Sequence, residues 1–212
     1  MIGRQGWAAN KAKCCYMGLG RSSNKQISLK LASVYTLALL AGLRYNKQIF
    51  CISILEGDIM IIRKATIEDI DSINNLFYEL DTDAINMQPE HFQRGNRSVE
   101  YLSGLINGEK SDFLLVVVDD KIIGFSLIFE REPPSLNLLV PCKIAYIQDF
   151  IISEYYRNRG IGSYLMEESK LWAKNRALEY IRLSVIPKNK AAQRFYMRHG
   201  LQEQMISMEC VL

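Results

Sequence analysis

The chain has 212 residues, 49% of them hydrophobic and 23% charged, with 13 glycines and 5 prolines. That is globular composition with material for a sizeable core, and it excludes a collagen-like, low-complexity or wholly disordered chain. A net charge of +3 is too small to argue for nucleic acid, and two distant histidines (His91, His199) without a Cys-x-x-Cys pair argue against a zinc or other soft-metal site.

The charge is unevenly spread. Residues 1–59 hold eight Lys/Arg against Glu56 and Asp58, a net of +6, whereas 60–212 carry a net of −3. Three of the five cysteines (Cys14, Cys15, Cys51) also fall in the first part. Its apolar run, 31–43, has 13 residues; a membrane helix needs ~20, so no stable membrane insertion is expected. A basic stretch before an apolar run imitates a signal peptide, but the approach is long and no small-x-small cleavage site follows cleanly. We read 1–59 as an N-terminal extension with little structure of its own, against a surface helix or a targeting segment as alternatives. One form of this reading makes Met60 the natural start. The domain is expected at 60–212. The cysteines fit a reducing compartment and a cytoplasmic location, with Cys142 and Cys210 as small core residues in strand-like contexts.

Residues 60–65 are a short apolar strand. Thr66, followed by Glu68 and Asp69, starts a helix. Ile67, Ile70, Ile73, Leu76 and Phe77 carry it at helical spacing to about 80. Residues 81–90 are polar, contain Pro89 and read as a loop. A second helix covers 99–106. The run 113–118 is a buried strand, 119–121 a tight turn and 122–129 its hairpin partner. Then come a strand at 144–152, a glycine turn, a helix at about 160–175, a strand at 180–186 and a helix at 189–199. Gly200 ends that last helix as its C′ residue, and a strand at 205–212 closes the chain. The order is β-α-α-β-β-β-α-β-α-β, an α/β (α+β) fold with a mixed sheet.

The segment from Arg157 through Asn158 and Arg159 to Gly160, Ile161 and Gly162 joins a strand to an amphipathic helix. Glycines at such a turn let main chain approach a ligand closely, and the free N–H groups of the first helical turn favour an anion of pyrophosphate size. Leu165 stands where a dinucleotide fingerprint needs its third glycine, and no Gly-Lys-Ser/Thr follows, so neither nucleotide motif applies. On the glycines alone, a plain turn that caps a helix explains the segment equally well.

The surrounding text adds more. Tyr156-Arg157-x-x-Gly160-x-Gly162, then a helix and a strand, then Asn189-x-x-Ala192-x-x-Phe195-Tyr196-x-x-x-Gly200-Leu201, resembles the GNAT superfamily of acetyl-CoA-dependent N-acetyltransferases. The resemblance covers 60–212. It implies a mostly antiparallel sheet flanked by helices, whose strands splay apart where CoA enters. It also implies that Phe150, Ile151 and Ile152 lend main-chain groups to pantetheine, and that Asn158, Arg159, Gly160, Ile161, Gly162 and Ser163 cradle the pyrophosphate. Arg157 would add charge, or serve as a cap-bonding arginine. Asn189 and Ala192 fall where the family contacts the CoA arm; Asn189 also fits an N-cap.

Tyr196 matches the tyrosine that protonates the departing thiolate in many members. The chemistry is reasonable, since a phenol of pKa ~10 can donate to a thiolate whose acid has pKa ~8.5. Ala192, Phe195, Tyr196 and His199 also form an i, i+3, i+4, i+7 stripe, the usual mark of a core face. An acid often stands where Gln148-Asp149 lies. Strand alternation sends these two to opposite faces, and of them Asp149 alone has base chemistry. Glu154 and His91 are weaker candidates. No cysteine occupies a matched nucleophile position, so direct amine attack in a ternary complex is favoured over an acyl-enzyme.

On the acceptor side, Glu79, Asp81, Asp83 and Glu90 are expected to form an acidic rim that attracts a cationic amine, or simply a solvated acidic loop. Polyamines, amino-sugars, a peptide N-terminus and a protein lysine all remain open, and the reading leaves room for a homodimer. The function expected is acetyl transfer from acetyl-CoA to a primary amine, without a metal. The alternatives are a non-catalytic CoA-binding or regulatory module and an unrelated α/β binding domain.

Overall fold

The computed structural model describes residues 49–55, 58–133 and 137–211. The apolar run 31–43, Cys14, Cys15, Pro134 and Leu212 lie outside these residues, as does most of the proposed extension.

Six strands form one sheet in the order β1 to β6: β1 (Ile49–Leu55), β2 (Asp58–Lys64), β3 (Ser111–Val118), β4 (Lys121–Arg131), β5 (Ile144–Ile152) and β6 (Tyr180–Leu183). Neighbours are antiparallel except β5 and β6, which run parallel. A parallel pair needs a crossover, and a helix supplies it here. β1 pairs with β2 along its length, so the sheet reaches back into the stretch read as an extension.

Helices cover both faces. On one, α1 (Ile70–Met87) and α2 (Val99–Ile106) bury Ile70, Ile73, Leu76, Phe77 and Leu102 against Phe113, Leu115, Phe125 and Leu127. On the other, α3 (Ile161–Asn175) and α4 (Lys190–Arg198) bring Ile161, Leu165, Met166 and Trp172, with half-buried Phe195 and Tyr196, onto Leu114, Val116, Ala145 and Ile147. β3 is buried at every position, which fits its unbroken apolar run.

The helix after Thr66 starts as expected but runs longer. The Asp69 carboxylate accepts from the Thr66 N–H at 2.7 Å and closes the first turn. α1 then continues through the predicted loop 81–87 to Met87. Nothing in that stretch forbids a helix until Gln88, which Pro89 pushes out of the helical region, and Asp81 and Asp83 are held there by distant arginines.

Two further expectations are corrected. No strand forms at 205–212 among the described residues: Met205, Ile206, Met208 and Val211 are exposed. A strand exists only through a ladder partner, and this segment meets none. Nor are Cys142 and Cys210 core residues; the first is half-buried in a loop and the second exposed.

Candidate active site

The parallel pairing of β5 and β6 ends at Ile147 and Leu183, yet β5 runs on to Ile152. Phe150, Ile151 and Ile152 keep their ladder with β4. Their opposite main-chain edge has no strand partner among the described residues. The splay expected from the resemblance is therefore present; the Ser153 N–H bonds to the Ile123 carbonyl of β4, so by alternation the groups of Phe150 and Ile152 face outward, and of these the Ile152 carbonyl is taken by Arg157.

A bulge lies at the mouth of this splay. Leu127 pairs with Asp149 but Ile128 with Ile147, so Gln148 is the extra residue. Ala145 and Ile147 pack on the α3 face, and so do Phe150 and Ile152, while Ile151 packs on the α1 face. Alternation thus slips by one between 147 and 150. Gln148 and Asp149 do not go to opposite faces; both emerge on the α1 and α2 side. Gln148 is exposed there and accepts from Arg131 at 3.0 Å, while Asp149 is half-buried.

β5 leads through a short 3-10 turn (Glu154–Tyr156) into the glycine turn. Asn158 (φ 64°) and Gly160 (φ 80°) are left-handed, a conformation that glycine adopts freely and asparagine tolerates. The two glycines do different work. A Cβ added at Gly160 would meet nothing within 4 Å, so the turn is open there. At Gly162 it would lie 3.4 Å from the Phe195 ring, in ordinary contact, so that position faces α4 and not open space. An open left-handed turn ahead of the 15-residue α3 has the shape of an anion cradle, not of a turn closed by its own packing.

Arg157 does not reach into that cradle. Its Nε donates to the Ile152 carbonyl at 2.7 Å, and one terminal nitrogen binds Glu79 (3.0 Å) and Asp83 (2.8 Å). It ties the end of β5 to α1. Arg159 lies over the Tyr156 ring. Asn189 is the N-cap of α4, its Oδ1 accepting from the Ala192 N–H at 3.0 Å.

Tyr196 packs edge-on against Phe150, with ring centres 6.2 Å apart, and against Phe195. Burial, with the Asp149 charge adding to it, pushes the Tyr196 phenol up to about 12. Burial also pushes the Asp149 carboxyl up to about 6; the Arg97 charge opposes that rise and the Asp81 charge adds to it. The two proton-carrying groups named from the sequence are thus near enough for the Asp149 charge to act on the Tyr196 phenol.

The acids expected to form a rim are already paired with protein cations. Glu79 and Asp83 hold Arg157. Asp81 takes both terminal nitrogens of Arg97, at 2.8 and 2.9 Å. Glu90 lies 3.8 Å from Lys188. Of the weaker base candidates, His91 binds Glu209, and the Glu154 N–H donates to Glu79.

Arg94 and Arg97 escaped the sequence reading. Arg94 stacks on Tyr78 and Arg97 on Phe77, and with Asn74 and Asp81 they line a cleft of about 230 Å³. The available signal was a pair of arginines one turn before a helix, facing three acids in sequence, but no local rule joins 81 to 97.

Residues 72–201 match the Acetyltransferase (GNAT) family. An uncharacterised N-acetyltransferase of Methanocaldococcus jannaschii is 23% identical over 145 residues, which are 68% of this chain and 62% of that protein. The chain therefore spans less than two thirds of that relative's length. The tetramutant of the BH1408 protein from Bacillus halodurans superimposes with a TM-score of 0.67 at 29% identity, over 72% of this chain and 99% of that one. An aminoglycoside N-acetyltransferase in complex with CoA has the same fold, with a TM-score of 0.56 at 14% identity over 74% of this chain and 97% of its own.

Proposed function

Because the chain belongs to the acetyltransferase (GNAT) family, we propose that it moves an acetyl group from acetyl-CoA to a primary amine by direct attack. The observation that carries this reading is the end of β5 without a strand partner on its outer edge, at Phe150 and Ile152, running into the open turn at Gly160, with Tyr196 packed on Phe150. The CoA complex of a protein with the same fold agrees with it.

The outward main-chain groups of Phe150 and the Ile152 N–H would pair with pantetheine as a strand does. The turn from Asn158 to Gly162 would hold the pyrophosphate through its N–H groups, the Ser163 N–H being bonded to the Gly160 carbonyl, with Arg157 fixing the turn to α1 and adding no direct contact. Acetyl-CoA supplies the activated acyl group. An alkyl ammonium of pKa ~10.4 loses its proton at pH 7 at a cost of roughly 4–5 kcal/mol. Asp149, raised to about 6, takes that proton better than an ordinary carboxylate. The amine nitrogen bonds to the carbonyl carbon while a main-chain N–H of the 150–152 edge stabilises the oxygen. The C–S bond then breaks, Tyr196 donates its proton to the leaving sulfur, and the second proton lost by the nitrogen restores the phenol through water.

The base acts on the acid. A phenol at about 12 is a reluctant donor to a thiolate whose acid has pKa ~8.5. Part of that reluctance comes from the Asp149 charge. Once Asp149 has accepted the amine proton, this charge is gone and Tyr196 gives up its own proton more readily.

The test is a thiol-release assay with acetyl-CoA and a panel of polyamines, amino-sugars and peptides. Amine-dependent CoA release is the expected result. CoA binding without release for any amine class would leave a CoA-binding module, and no CoA binding at all would remove the reading.

A further inference from the structure

A chain of three polar side chains stands behind the glycine turn, and none of the roles above uses it. Ser163, in the first turn of α3, has its Oγ 3.1 Å from His199 Nε2. The other ring nitrogen, Nδ1, lies 3.3 Å from Glu167 Oε1. The His199 side chain is 14% exposed and packs on Phe195 with ring centres 4.7 Å apart. α4 thus fixes the plane of the ring, and α3 supplies a partner to each nitrogen.

Chemistry restricts what this chain can do. A carboxylate only accepts, so Nδ1 carries a hydrogen toward Glu167. When the ring is neutral, Nε2 accepts and the Ser163 hydroxyl points its hydrogen inward. When the ring is protonated, Nε2 donates to Ser163 Oγ, and the hydroxyl hydrogen is released toward the open turn. The Ser163 N–H already binds the Gly160 carbonyl at 2.9 Å, so the hydroxyl is the group of this residue that can turn outward.

We propose that His199, clamped by Glu167, is a positioning residue that couples proton uptake to CoA binding by turning the Ser163 hydroxyl into a donor to the pyrophosphate. The inference rests on the CoA reading above. On binding, His199 takes one proton from solvent at Nε2, Nε2–H donates to Ser163 Oγ, and Ser163 O–H donates to a phosphate oxygen. No bond to phosphorus forms. The charged groups facing the ring are Glu167 and, paired with it at 2.8 Å, Lys170, both on α3; from α4 the ring meets Phe195. The Lys170 hydrogen bond, and to a lesser degree the bond to His199, hold the Glu167 carboxyl below its ordinary value, so it stays an acceptor in the range where an imidazole titrates.

The probe is dephospho-CoA, which keeps the pyrophosphate and lacks the 3′-phosphate, whose own titration falls in the same pH range. Its affinity for the full chain is measured by calorimetry between pH 5.5 and 8.5. The wild type is expected to lose affinity about three- to tenfold from pH 6 to 8, by linkage. Ser163→Ala should weaken binding at pH 6 and lose most of that slope. Any dependence due to Asp149 persists in this variant and is subtracted with it. His199→Gln, which can still donate to Ser163, should bind with a flat pH profile. Nitrogen-15 shifts of His199 should move toward the doubly protonated form on saturation at pH 7.5. Binding with equal slopes in wild type and Ser163→Ala, or unmoved His199 shifts, would overturn the proposal and leave the CoA reading standing. No binding of dephospho-CoA or CoA at any pH would overturn both.

Discussion

The two sides of the splay are built on different principles. On the side proposed for the cofactor the groups are main chain: a strand edge without a strand partner among the described residues, a left-handed glycine with open space beside it, and the first turn of a helix. On the side proposed for the acceptor they are side chains, and charges there are closed on one another, Arg157 with Glu79 and Asp83, Arg97 with Asp81. Main-chain geometry depends on a few neighbouring residues. A charge pair depends on two residues far apart in the chain. The first side is therefore sensitive to local substitution, and the second responds to changes at a distance.

The sharpest break is Gly160→Glu. It forces a side chain into the left-handed region and places a carboxylate in the cradle. CoA affinity should fall by more than about 100-fold with the fold intact by circular dichroism. Unchanged affinity in a calorimetric titration would return the turn to a packing role. Next in size, Tyr196→Phe should lower kcat by about 10²-fold with CoA affinity nearly unchanged, as expected for loss of a general acid. An unaffected kcat, with single-turnover data confirming that chemistry is limiting, would make Tyr196 a packing aromatic.

Asp149 joins the two sides, and pH tests it. As a base it must be ionised, so kcat should rise with pH through about 6, and Asp149→Asn should lose that limb. Stability should move oppositely. A carboxyl raised on folding is neutral in both states at low pH; from pH ~4 upward the unfolded chain ionises first, and the penalty is complete above about 6. Asp149→Asn should thus gain melting temperature relative to wild type at pH 8 and not at pH 4. The smallest effect is expected at Arg97. Its charge holds Asp149 down, so Arg97→Gln should shift the kcat limb upward by less than about one pH unit. An unmoved limb would separate Asp149 electrically from the α1–α2 side.

How much was legible in advance follows the same division. α2 and β5 lie where periodicity and composition put them, because each has an uninterrupted pattern and clear local boundaries. The glycine turn and the Asn189 cap were equally readable, being fixed within a few residues. α1 was foreshortened, since its last turns contain weak helix formers stabilised by Arg97 and Arg157. β1 was missed because the change in charge suggested a boundary at Met60, whereas a strand is defined by its partner. The segment 205–211 was expected as a strand on its composition and lacks the partner that would make it one.

The sequence by itself determined the order of strands and helices between 60 and 199, the glycine turn, the capped helix that carries Tyr196, and through their order the family. Those features depend on φ, capping and periodicity, which act over a handful of residues. Tertiary structure alone decided that β5 and β6 part after Ile147, that a bulge brings Asp149 onto the α1 side, that Arg157 pairs with Glu79 and Asp83, and that Ser163, His199 and Glu167 form one chain. Each of these joins groups tens of residues apart, and such pairings are set by how the packed layers meet, which no local pattern records.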